Sequence, residues 1–149
     1  MTYNILILNG PNLNMLGMRE PDIYGHSTLN DLNRNCEQTA ESLDMNVTCF
    51  QSNHEGELID KIQSADEAYD AIIINAAAYT HTSIALYDAL KLCPLPFIEV
   101  HLSNIYARDT FRHKSLISPL AKGVLCGFGQ MGYSLALTAI KDILASRED

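Results

Sequence analysis

With 149 residues, 47% of them hydrophobic and 19% charged, the chain can bury a core as one domain and is too apolar to stay disordered. Its net charge of −8 argues against nucleic acid or an anionic membrane surface as a partner, although a few arginines in a cleft can still receive a small anion. No apolar run approaches the length of a membrane span, and no secretory leader precedes the first apolar segment, so a cytoplasmic protein is expected.

In chain order, residues 5–8 (Ile-Leu-Ile-Leu) predict a buried strand. Residues 8–25 cannot continue it, because Gly10, Pro11, Gly17, Pro21 and Gly25 punctuate them; loops of this length after a first strand are usually functional or disordered. This one carries Asn12, Arg19 and Tyr24: an amide, a permanent cation and a phenol, a set suited to moving a proton beside developing negative charge. Ser27 or Thr28 then caps a helix with Asp31 in its first turn and Leu29, Leu32, Cys36, Ala40 and Leu43 on one face. Residues 45–52 predict a second strand, 53–56 a turn, and the segment with Leu58, Ile59, Ile62 and Ala65 a second helix. Residues 71–75 form a strand apolar on both faces and therefore central. A short loop over 76–80 leads to a helix from Thr82 or Ser83 to Leu92, closed by Pro94 and Pro96. Residues 97–101 are the fourth strand, 102–119 a second long polar segment, and 123–126 a short fifth strand. The last helix begins near Gly129 and carries Leu135, Leu137, Ala139, Ile140 and Ile143.

Strand and helix alternate throughout. This predicts an α/β fold: a flavodoxin-like, doubly wound, five-stranded parallel sheet with helices on both faces, in a single catalytic domain spanning 1–149. In such sheets the site lies outside the carboxyl ends of the strands. That edge collects Asn12, Arg19 and Tyr24 from the first loop, Asn75 and His81 from the third strand, and Glu99, His101, Leu102, Ser103, Arg108 and Arg112 from the fourth. Glu99 and His101 alternate onto one strand face, where a carboxylate can fix an imidazole's tautomer and raise its basicity. Taken alone the pair reads as a structural ion pair; at the end of a central strand it reads as a site. His81 is either a cap-region residue or a hydrogen-bond donor to ligand hydroxyls, and Asp88 has the pattern of a solvated helix charge. Tyr24 as a base needs a neighbouring cation, since a free phenol titrates near pKa ~10. No nucleophile elbow, dinucleotide loop or Walker sequence occurs, and the glycines of 127–132 predict a tight strand-to-helix turn. The five histidines lack acidic partners at ligand spacing, so no metal is expected. Cys36, Cys49, Cys93 and Cys126 match no zinc or redox spacing and predict buried free thiols.

Residues 9–25 resemble the signature of the type II 3-dehydroquinate dehydratase family, N-G-P-N-L-x-x-L-G-x-R-x-P-x-x-Y-G. Blocks at 52–58, 75–83, 99–105, 111–113 and 127–133 are similar to that family as well, so the resemblance covers essentially the whole chain. It implies a trans dehydration of 3-dehydroquinate in the shikimate pathway or in quinate breakdown, with no metal, Schiff base or other cofactor. By the same resemblance Tyr24 removes the proton beside the ketone, Arg19 supports phenolate and enolate from a lid, and Asn12 steadies the enolate. His101 is implied to protonate the departing hydroxyl, Glu99 to orient His101, and Arg108 to stand near the base. Asn75, His81, Leu102, Ser103 and Arg112 are implied to hold the substrate. Asp88 is implied to reach a neighbouring subunit's site, in trimers grouped into a homododecamer. Tyr87 and Tyr106 stand where the family often carries arginine and histidine.

Overall fold

The computed structural model describes residues 2–18, 22 and 26–147. Among these residues five strands alternate with four α-helices: β1 (Tyr3–Asn9), α1 (Leu29–Ser42), β2 (Met45–Gln51), α2 (Glu55–Ser64), β3 (Ala71–Asn75), α3 (Ile84–Leu92), β4 (Phe97–His101), β5 (Gly123–Cys126) and α4 (Met131–Ser146). All strand pairs are parallel, in the order β2-β1-β3-β4-β5. This is the flavodoxin-like doubly wound order, whose direction reverses between β1 and β3 and opens a crevice at their carboxyl ends.

The unbroken Ile/Leu runs of β1 and β3 follow from their position, because each is covered on both faces. On one face Ile5, Ile7, Ile73 and Val100 pack under α1 and α4; on the other Leu6, Leu8, Ile72, Ile74 and Phe97 pack under α2 and α3. Burying each such side chain contributes about 1.5–3 kcal/mol. No helix among the described residues is long and apolar enough to cross a membrane.

Several element boundaries differ from the sequence expectation. Of the expected turn over 53–56, Asn53 and His54 remain outside the helix and α2 begins at Glu55: Ser52 accepts a hydrogen bond from the His54 N–H (2.9 Å) and donates its own hydroxyl to Glu57. The last helix starts at Met131 rather than near Gly129, because Gly127 and Gly129 have φ of 93° and 59°, outside a right-handed helix. Leu135 falls on the outer side of α4 and is 39% exposed, whereas Leu137 and Ile140 are fully buried. All four cysteines are free, but only Cys36 is buried. Cys49 and Cys126 lie on the two edge strands, where cover is thinner.

The crevice depends on one close approach. The Gly10 N–H donates to the Asn75 carbonyl (2.8 Å), and a Cβ at Gly10 would stand 2.5 Å from the Ala76 carbonyl oxygen. Only glycine lets the β1 and β3 loops meet this closely. Beyond it, Leu13 and Leu16 are buried in the α1/α4 layer and hold the start of the first loop against the sheet.

Candidate active site

The three central strands release their chains side by side, and a cleft of about 190 Å³ lies where they do so. Its described walls are Pro11, Asn12, Leu13, Met15 and Leu16 after β1, and Asn75, Ala77, Ala78 and His81 after β3. His101, Leu102, Ser103, Ile105, Arg108 and Arg112 close it from β4 and the second polar segment. The volume lies below the range of drug-sized sites, which suits a small ligand.

At its floor is a buried pair. Glu99 has no exposed surface and His101 is 5% exposed, and one ring nitrogen of His101 is hydrogen-bonded to Glu99 Oε2. The other carboxylate oxygen, Oε1, accepts from Ser118 (2.5 Å) and Ser115 (3.0 Å). Burial alone would raise the Glu99 carboxyl, but these hydrogen bonds outweigh it and hold the group below its usual range. The result is a carboxylate kept charged inside the protein and aimed at an imidazole that borders the cleft. The two serines had no signal of their own in the sequence, because nothing in their spacing links them to Glu99. They are found by asking what satisfies a buried carboxylate.

His81 lies nearly parallel to His101, with ring centroids 6.4 Å apart. Its Nδ1 meets the Lys114 carbonyl at 2.8 Å, so that nitrogen is the donor. Burial, opposed by that hydrogen bond and reinforced by His101 and Arg112, lowers the His81 pKa. A neutral ring donating from Nδ1 offers the cleft an acceptor at Nε2, the reverse of the donor role read from sequence. His81 ends a 3₁₀ turn, Ala77–His81, and the helix cap is Ser83.

Asn12 has a left-handed backbone (φ 71°), and its N–H donates to Asn53 Oδ1 (2.9 Å). Gln51 braces the same point, donating to the Gly10 carbonyl and to Asn53 Oδ1, each at 3.1 Å. Arg112 stacks its guanidinium over Phe111, 4.9 Å from the ring centroid, and its buried Nε has no hydrogen-bond partner among the described residues. Arg108 reaches the Ser103 hydroxyl at 3.5 Å.

The sequence matches the profile of the family described as Dehydroquinase class II over residues 3–141. The chain belongs to that family. It is 53% identical over 145 residues to the 3-dehydroquinate dehydratase of Rhizobium johnstonii, a match spanning 97% of this chain and 100% of that protein. It is 57% identical over 136 residues to the same-named protein of Geotalea daltonii, covering 91% and 94% of the two chains. The crystal structure of the type II dehydroquinase from Propionibacterium acnes superposes with a TM-score of 0.91 at 42% identity, covering 95% of this chain and 98% of that one.

Within this class II dehydroquinase, the cleft gathers eight of the residues expected from sequence: Asn12, Asn75, His81, His101, Leu102, Ser103, Arg108 and Arg112. Glu99 stands behind His101. Asp88 is exposed on α3 and does not line the cleft. Arg19 and Tyr24 lie outside the described residues. Sequence reasoning missed Gln51, Asn53, Ser115 and Ser118, and also Tyr133, whose hydroxyl meets Asn9 and Asn75 at the base of the crevice.

Proposed function

We propose that this chain is a lyase that dehydrates 3-dehydroquinate to 3-dehydroshikimate by trans elimination, as one catalytic domain spanning 1–149. The reaction serves the shikimate pathway or quinate breakdown. What carries the reading is the Glu99–His101 pair bordering a small polar cleft, in a chain whose relatives bear the name 3-dehydroquinate dehydratase.

Tyr24 takes the proton beside the ketone, with Arg19 favouring its phenolate, and the electron pair moves onto the ketone oxygen to give an enolate. Asn12 steadies that oxyanion. The enolate then collapses, the carbon–carbon double bond forms, and the C–O bond on the opposite face breaks. His101 gives its proton to the departing hydroxyl, which leaves as water, and Glu99 orients the ring. One ring nitrogen is committed to Glu99, so the other is the one that serves the leaving group. The Arg112 Nε, a buried donor without a partner among the described residues, suits a ligand carboxylate, and His81 offers an acceptor to a ring hydroxyl. Leu102, Ser103 and Arg108 complete the binding wall, and Arg108 is assigned to support the base. We assign the protein to the cytoplasm, and to trimers grouped into a homododecamer in which Asp88 reaches a neighbouring subunit's cleft.

The deciding experiment adds 3-dehydroquinate to the purified protein with a chelator present and follows the ultraviolet absorbance of the conjugated product. Turnover without added cofactor is expected. A folded, assembled sample that produces no absorbance change overturns the assignment. In the same assay Tyr24→Phe should still bind ligand but lose most turnover, and Arg19→Ala should lose far more kcat than affinity; equal losses in both would make Arg19 an anchor instead.

A further inference from the structure

Asn9 and Asn75 are register partners at the carboxyl ends of β1 and β3. By strand alternation both continue the row of Ile7 and Ile73 and face the layer of α1 and α4. There they meet Tyr133, which lies in the first turn of α4 and is fully buried. Its hydroxyl donates to Asn9 Oδ1 (2.6 Å) and accepts from Asn75 Nδ2 (3.0 Å), while Asn75 Oδ1 accepts from the Ala77 N–H (3.1 Å).

This chain of bonds has only one workable direction. A backbone N–H can only donate, so the Asn75 atom facing Ala77 is the oxygen. The amide NH₂ of Asn75 then faces Tyr133, the phenol oxygen accepts from it, and the single phenol proton goes to Asn9. Reversing the order would give a partner to Asn9 Nδ2, which is buried without one among the described residues, but would set two donors face to face at Ala77. The Ala77 N–H is itself held in place by a left-handed backbone, φ 52°, uncommon for alanine. Burial pushes the Tyr133 phenol far above its usual range, so it remains a neutral donor throughout the working pH range.

We propose that Tyr133 is a positioning residue for the reaction: it occupies one of the two Asn75 amide hydrogens and leaves the other as the only free donor that Asn75 presents to the cleft. The ligand atom recognised there is therefore an acceptor: a carboxylate, carbonyl or hydroxyl oxygen. Tyr133 acts through Asn75 and touches no substrate itself. The kinetic part of the test rests on the dehydration reading; the spectroscopic part does not.

Four proteins decide it: the wild type, Tyr133→Phe, Asn75→Ala and the double variant. Tyr133→Phe keeps the ring and removes the hydroxyl, and kcat/KM should fall by about tenfold or more. The double variant should be no slower than Asn75→Ala alone; losses that multiply overturn the proposal. In parallel, asparagine-selective ¹⁵N labelling follows the two Nδ2 hydrogens of Asn75. In the wild type one should exchange slowly and the other fast, and the difference should vanish in Tyr133→Phe. Two equally fast hydrogens in the wild type overturn the proposal even if Tyr133→Phe fails to fold. A wild type that shows the protected hydrogen but no dehydration would uphold the positioning role and sink the reaction assignment.

Discussion

Glu99 is the residue whose surroundings most constrain the chemistry, since a carboxylate with no exposed surface is costly to keep charged. It stays charged because His101, Ser118 and Ser115 all donate to it. Glu99→Gln keeps the shape but removes the charge that faces His101 and turns an NH₂ donor toward the ring or the serines. Turnover should drop by about a hundredfold or more with circular dichroism unchanged; a variant with wild-type kcat would reduce the pair to a structural role. The same group contributes to stability in a defined direction. Its folded pKa lies below the ordinary 4.5, so its hydrogen bonds stabilise fully above that value and the contribution is lost as pH falls through the lower folded value. His81 acts earlier. Its pKa is held below 6.5, so as pH drops under that value the unfolded chain takes up a proton that the folded ring resists, and stability declines. The melting temperature should therefore begin to fall below about pH 6.5. In His81→Asn, which can still donate to the Lys114 carbonyl, that early decline should be shallower; an identical profile would remove His81 as its source.

Among the elements, the two helix starts that matter most are capped differently. Thr28 caps α1 through a reciprocal pair with Asp31: its hydroxyl accepts from the Asp31 N–H (3.2 Å) and the Asp31 carboxylate accepts from the Thr28 N–H (3.0 Å). Ser83 caps α3 by accepting from the Leu86 N–H (2.9 Å), and it also donates to the Glu55 carboxylate at the start of α2. Thr28→Ala should cost about 1 kcal/mol, the usual value of a cap. Ser83→Ala should cost more, about 2 kcal/mol, because it also strands a half-buried carboxylate. Thermal unfolding of the two variants side by side checks the order, and equal shifts would mean that the Glu55 link contributes nothing. These elements also mark where sequence reasoning reached its limit. The cap at Thr28, the body of α1, the buried runs of β1 and β3 and the Ser83 start all follow from local pattern. The first turn of α2 does not, because Glu55 and Gly56 belong to a stretch of turn composition, and the bonds from Ser52 to Glu57 and from Ser83 to Glu55 that brace it come from outside that stretch. Leu135 is 39% exposed although apolar, because it lies on the side of α4 turned away from the sheet.

At the scale of the whole molecule, alternation of strands and helices was enough to give the sheet and its switch point, and the switch point was enough to bring eight expected residues to one cleft. What could not be read were contacts between residues far apart in the chain, such as Ser118 to Glu99 or Tyr133 to Asn9, since no spacing rule encodes them. Asp88 belongs to this long-range class in an extreme form. It is exposed on α3 and is not among the described residues that line the cleft, so the direct role proposed for it would be played in a neighbouring subunit. That role can be tested by complementation. His101→Ala removes the acid of its own cleft but leaves Asp88 in place; Asp88→Ala does the converse. Each homogeneous variant should be nearly inactive. Mixing the two, unfolding them and reassembling them together should pair intact clefts with intact Asp88 side chains across some interfaces and restore a substantial fraction of turnover. Recovery on co-assembly but not on simple mixing would establish a site shared between subunits. If co-assembled mixtures stay as slow as the separate variants while light scattering reports normal oligomers, Asp88 does not act across the interface, and each subunit's cleft works with its own residues alone.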